Sequence, residues 1–136
     1  MFAQNQYDPG IPIYLQIMRR IRQKITAGEW LPGDRVAPVR DLALEFGVNP
    51  NTMQRSLSEL EREGLVYTER TSGRFITTDT ACIQAMRDDM AREIVMEFLR
   101  EMAQMGYTDT MILEQIQNAK TGGMNPPARG NEEESL

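Results

Sequence analysis

The chain has 136 residues, 15 Lys+Arg against 20 Asp+Glu, no histidine and a single cysteine. Such a length builds one modest core plus an appendage. Without histidine, and with Cys82 alone, a zinc centre, a histidine-based catalytic site and an internal disulfide are all excluded, so neither metal nor cofactor nor enzymatic activity is expected, and a reducing cytoplasm suits the chain.

Residues 1–10 are polar and lack the charged and apolar regions of a signal peptide. They read as loose, with Asp8-Pro9-Gly10 forming a turn. From Pro12 to about Ala27, the residues Tyr14, Ile17, Met18, Ile21 and Ile25 recur on one helical face, and Gly28 ends the helix. Arg19, Arg20, Arg22 and Lys24 take its other sides, where charge ordinarily faces solvent. A breaker-rich loop runs from Glu29 to Asp34, with Trp30 and Leu31 expected to cover the core. A short Arg35-Val36-Ala37 follows.

Residues 38–66 are the most informative stretch. They read as two helices joined by a tight turn. Val39, Leu42, Ala43 and Phe46 point inward from the first, and small Ala43 admits a close crossing. Gly47 supplies the left-handed turn residue, and Val48 fills the corner. Asn49 is placed to cap the second helix, with Pro50 in its first turn, where no amide hydrogen is needed. Met53, Leu57 and Leu60 share a buried stripe. Asn51, Gln54, Arg55, Ser58 and Arg62 fall on the opposite side. A small, hydrogen-bonding face at the front of such a helix is what reading base edges requires.

After Gly64, Leu65-Val66-Tyr67-Thr68 and Phe75-Ile76-Thr77-Thr78 read as two strands of a hairpin, or wing, turning at Gly73. Its Arg70 and Arg74 are placed to reach phosphate or a minor groove. From Ala81 the period is helical again. Ile83, Met86, Met90, Ile94, Phe98, Met102 and Met105 form a stripe, widened by Val95 and Leu99. Gly106 stops this helix, and Thr108 or Asp109 caps another, with Met111, Ile112, Leu113 and Ile116 on its apolar side. This stripe packs either on the winged part or on the same helices of a second chain, and the second reading is preferred. The methionines here fill a core before they form a ligand set. Residues 121–136 are rich in Gly, Pro and charge and read as a disordered tail. The expected organisation is mainly α with a small β-hairpin. A winged helix-turn-helix domain (1–78) precedes an antiparallel helix pair (79–120) and the tail.

Charge divides along the same line. Residues 1–78 hold ten basic and nine acidic side chains, whereas residues 79–136 hold five and eleven. DNA contact would therefore belong to the first part. A winged helix used only for protein–protein contact is the alternative. The basic, small-polar face of Arg40, Arg55, Arg70 and Arg74 argues against it.

These residues resemble the GntR family of bacterial transcription regulators. The likeness runs through Pro12-Ile13-Tyr14-x-Gln16-Ile17, Pro32-Gly33-Asp34, Val39-Arg40-Asp41-Leu42-Ala43, Gly47-Val48-Asn49-Pro50-x-Thr52, Leu60-Glu61-x-Glu63-Gly64-Leu65 and Gly73-Arg74-Phe75-Ile76. The resemblance implies a homodimer binding a double-stranded palindromic operator. Residues 79–120 resemble the two-helix dimerisation tail of the YtrA-type subfamily. Members of that subfamily often repress neighbouring ABC-transporter genes. Too few residues follow the wing for a large effector-binding domain, and no small-molecule effector is identified. By position, the family's DNA contacts fall on Arg40, Asn49, Asn51, Thr52, Gln54, Arg55, Gly73 and Arg74. Two departures stand out. Val36-Ala37-Pro38 replaces the usual Leu-Pro-Ser, so the capping serine is missing. In the wing, Thr71-Ser72-Gly73-Arg74-Phe75 replaces Gly-Lys-Gly-Thr-Phe.

Overall fold

Ile17, Ile21, Met53, Leu57 and Leu60 are fully buried together, and the fold is arranged around them. In the computed structural model, residues 7–122 are described. The elements are α1 (Ile13–Thr26), α2 (Val39–Phe46), α3 (Pro50–Arg62), β1 (Val66–Glu69), β2 (Gly73–Ile76), α4 (Thr80–Gln104) and α5 (Asp109–Lys120). No helix among the described residues is long and apolar enough to cross a membrane.

The first compact unit runs as far as Met90. Its α1 and α2 each pack on α3, burying Ile17, Met18, Ile21 and Ile25 from α1 and Leu42, Ala43 and Phe46 from α2. Gly47 ends α2 at φ 71°, in the left-handed region where a side chain would be strained. Asn49 then caps α3 by accepting the Asn51 amide at 2.7 Å, a contact worth about 1 kcal/mol.

The two strands are antiparallel, with Val66 opposite Ile76, Tyr67 opposite Phe75, Thr68 opposite Arg74 and Glu69 opposite Gly73. The second strand thus starts at Gly73 rather than Phe75, and Thr77 and Thr78 lie outside it. The tight turn at Arg70–Ser72, closed by the Ser72 amide on the Glu69 carbonyl at 3.2 Å, brings pairing back sooner than composition suggests. Alternation puts Val66, Thr68, Arg74 and Ile76 on one face and Tyr67, Glu69, Gly73 and Phe75 on the other. The loop before α2 adds a third edge: Arg35 bridges Phe75. There Val36 N donates to Arg74 O at 2.9 Å and Ile76 N to Asp34 O at 2.8 Å.

Three expectations change. Leu31 is exposed, and only Trp30 packs against the core, because the Leu31 amide is held outward by Asp34 Oδ2 at 2.8 Å. Residues 7–10 are fastened rather than loose. Tyr7 Oη donates to the Phe46 carbonyl and accepts from Arg20 Nη1, both at 2.7 Å, while Gln16 Nε2 donates to the carbonyl of Asp8 at 2.7 Å. Burial pushes the Tyr7 hydroxyl above the usual phenol range against the opposing pull of Arg20, so it stays a protonated donor. Finally, Ile83 and Met86 belong to this unit's core, with Cys82 and Met90 packed against it. Ile83 and Met86 therefore offer little exposed apolar surface of their own.

The second unit begins at Ala91. Gly106, at φ 87°, separates its helices, and Thr108 caps α5 by accepting the Met111 amide at 3.3 Å. Ile112 is buried, and Met102 is half-buried. By contrast Ile94, Val95, Met96, Phe98, Leu99, Met105, Met111, Leu113 and Ile116 are exposed. Of the tail expected to be disordered, residues 123–136 lie outside the described residues.

Candidate nucleic-acid interface

The front of α3 is built by its cap. Pro50 carries no amide hydrogen, the Asn51 amide goes to Asn49 Oδ1, and the Met53 amide goes to the Asn49 carbonyl at 3.0 Å. Among the described residues, this leaves the Thr52 amide as the N–H of that turn without a partner. With the Thr52 hydroxyl close by and the positive end of the helix dipole, it suits a phosphate oxygen. Asn49 is thus a helix cap, and Asn51 is exposed beside it.

Along the outer face, Gln54 Nε2 donates to Ser58 Oγ at 3.0 Å, and both side chains are exposed. Arg55 is exposed as well, but it does not stand free in solvent. Its guanidinium carbon lies 3.7 Å from the centroid of the Tyr14 ring on α1. The next residue, Ser56, is fully buried, with its single hydroxyl hydrogen shared between the carbonyls of Tyr14 and Thr52, both at 3.1 Å. Adjacent residues of α3 therefore grip the same tyrosine from its ring and its backbone. Sequence reasoning placed Tyr14 only in the core stripe and passed over Ser56. The signal for Ser56 was available: it sits three residues after Met53 and four before Leu60, on the buried stripe.

Several cations of the first unit are paired with glutamate and several are not. Arg22 pairs with Glu63 at 2.7 Å, Lys24 with Glu29 at 3.3 Å and Arg62 with Glu59 at 3.6 Å. Arg74 is also turned inward, 20% exposed, with Nε buried and 3.7 Å from Glu61 Oε1. Among the described residues, Arg35, Arg40, Arg55 and Arg70 have no carboxylate partner. They lie on the loop before α2, on α2, on α3 and at the hairpin turn. Arg40 makes no ion pair with Asp41 or Glu45. It lines, with Ala43, Leu44, Val48 and Pro50, an open depression of about 320 Å³. Leu44 is 82% exposed there, an apolar shelf beside a cation that suits a thymine methyl next to phosphate. Arg35, which sequence reasoning left without a role, lies against Gly73.

The Tyr14 platform has a measurable consequence. Tyr14→Leu keeps an apolar side chain but removes the ring face, a stack worth about 0.5–1 kcal/mol at an exposed site. Affinity for duplex DNA should fall about two- to fivefold with the fold intact, and Tyr14→Phe should retain it. Anisotropy titrations in which Tyr14→Leu binds like wild type while Arg55→Ala binds weakly would show that the stack is dispensable.

The chain matches the family model described as "Bacterial regulatory proteins, gntR family" over residues 13–76. It is 40% identical over 119 residues to the HTH-type transcriptional regulator YhcF of Bacillus subtilis, covering 88% of this chain and 98% of that one. It is 40% identical over 74 residues to the HTH-type transcriptional repressor YtrA of the same organism, covering 53% of this chain and 57% of the other. Among solved structures, a GntR family transcriptional regulator from Listeria monocytogenes superposes with a TM-score of 0.77 at 34% identity, covering 82% of this chain and 98% of that one.

Proposed function

The chain belongs to the GntR family of bacterial regulatory proteins and is a DNA-binding transcriptional regulator rather than an enzyme; from that premise we propose that it is a repressor binding a palindromic operator as a homodimer. The observation that carries this reading is the sorting of its cations. Arg22, Arg62 and Arg74 are engaged by glutamates, whereas Arg35, Arg40, Arg55 and Arg70, on the segment before α2, on α2, on α3 and at the wing turn, have no carboxylate partner among the described residues and are left for another anion. An overall acidic protein thereby keeps a local basic face.

The residues divide by role. Arg40, the Thr52 amide and hydroxyl, and Arg55 on its tyrosine platform contact phosphate and fix the register. Asn51 and Gln54 face base edges. Asn49 acts through the helix it caps, and Gly73 through the arginine beside it. Arg74 steadies the wing against Glu61 and reaches DNA only at its edge. The exposed apolar residues of α4 and α5, with Ile94, Phe98, Met105 and Ile116 among them and Met90, Met102 and Ile112 beside them, meet their counterparts in a second copy. An ABC-transporter operon is the regulon class implied by the likeness to the YtrA type.

Gel shift of the full chain against DNA upstream of its own gene tests the proposal. Arg40→Ala should weaken binding to every sequence alike and lower the slope of log affinity against log salt by about one for one lost phosphate contact. A uniform loss of affinity at an unchanged slope would remove Arg40 from the phosphate contacts.

A further inference from the structure

Arg35 sits on the edge segment that runs beside β2, directly opposite Phe75. Residues facing each other across an antiparallel pair project to the same side, and so do residues two apart along a strand. Arg35, Phe75 and Gly73 therefore share the outer face of the wing, along with Tyr67. Tyr67 and Phe75 stack there, with ring centroids 5.6 Å apart. Gly73 alone leaves that row open. Its backbone is at φ 114°, and a Cβ built on it would meet Nε and Nη2 of Arg35 at 3.1 Å. The guanidinium thus lies in the slot that the missing side chain provides.

Among the described residues, nothing neutralises this cation. Glu69, opposite Gly73 on the same face, makes no ion pair with it among the described residues, and Asp34 Oδ2 is engaged by the Leu31 amide. The neighbouring cation, Arg74, is on the other face against Glu61. The seat is also firm, because backbone hydrogen bonds tie Asp34 and Val36 to Ile76 and Arg74 on either side of Arg35. An exposed, uncompensated guanidinium held flat on a rigid strand has lost little further freedom to lose on meeting an anion.

We propose that Arg35, seated over Gly73, is the outer-face cation through which the wing contacts a phosphate of the DNA backbone. Gly73 contributes by having no side chain, which keeps the guanidinium in place. The inference rests on the DNA-binding reading and adds a residue and a seat to it.

The test uses the full-length chain and a mixed-sequence DNA duplex, since a phosphate contact does not depend on sequence. Affinity is measured across a salt series for wild type, Arg35→Gln, Gly73→Ala and the double variant. Arg35→Gln should weaken binding several-fold and lower the salt slope by about one. Gly73→Ala, strained by its φ of 114° as well as crowding the guanidinium, should also lower the slope, and should lower it no further once Arg35 is glutamine. A wild-type slope in Arg35→Gln overturns the proposal even if the wild-type protein binds strongly. Absence of any salt-dependent binding by the wild type would instead overturn the DNA-contact reading, and the proposal with it.

Discussion

If the chain pairs as proposed, replacing Ile94 and Phe98 together by glutamate should turn that dimer into a monomer. The two residues lie one helical turn apart on α4, and Ile94 is 58% exposed within its own chain. Charging them disturbs the internal packing of a single chain less than charging Ile83 or Met86, whose side chains lie in the core of the first unit, although Phe98 is only 37% exposed. In a dimer contact, however, the carboxylates would be desolvated without a partner and face their own copies. A monomer engages one half-site at a time and forfeits the effective concentration of the linked second site, so operator affinity should drop by about 10²–10⁴. Sedimentation velocity reads the first effect and gel shift the second. A variant that remains a dimer with an unchanged melting temperature would place the subunit contact elsewhere.

The next largest effect is expected at Gln54, in specificity. One hydrogen of the Gln54 amide is directed to Ser58 Oγ at 3.0 Å. Its other hydrogen and its carbonyl oxygen remain for the two-point contact that an adenine edge offers. Ser58 therefore steadies the amide plane rather than competing for it. Gln54→Ala should cost about 1–3 kcal/mol on the cognate operator and far less on unrelated DNA. In the proposed homodimer, the preference at one base pair should relax in both half-sites, because its symmetry would repeat the contact about one turn of DNA away. Ser58→Ala should have the same sense with a smaller size. Binding-site selection that returns the wild-type consensus with Gln54→Ala would remove this residue from the reading set.

The turn between α2 and α3 could be read from sequence because each of its parts is a local requirement. A left-handed residue, a cap and a proline at the first position stand at fixed spacing, and the structure has Gly47, Asn49 and Pro50 in those places. The buried stripe of Met53, Leu57 and Leu60 followed from period alone. What a helical wheel cannot supply is the neighbour across the gap. It set Arg55 opposite Met53 but did not know that α1 passes close enough for Tyr14 to lie under the guanidinium. The hairpin was foreseen but its register was not, and register decides on which face Arg74 falls. Arg35 escaped notice because its meaning depends on Gly73, 38 positions away, through an edge pairing that local propensity does not encode. The helical tail was legible as a stripe. The division of that stripe between Ile83 and Met86, inside the first unit, and the exposed residues beyond Met90 needed the packed structure.

The Tyr7 hydroxyl ends on the carbonyl of Phe46, 39 positions along the chain. This has a bearing on the order in which the molecule assembles. The α2–α3 corner is made from contacts between near neighbours, which close quickly. Its outer brace belongs to a much longer loop, whose closure entropy must be met before the hydrogen bond returns anything. The corner is therefore expected to form early and to be tightened late, once α1 has packed and carried Arg20 into reach of the phenol. Local opening should run the other way: release of the Tyr7 brace frees the C-terminal end of α2 from the segment before α1 while the hydrogen bonds within α2 and α3 remain.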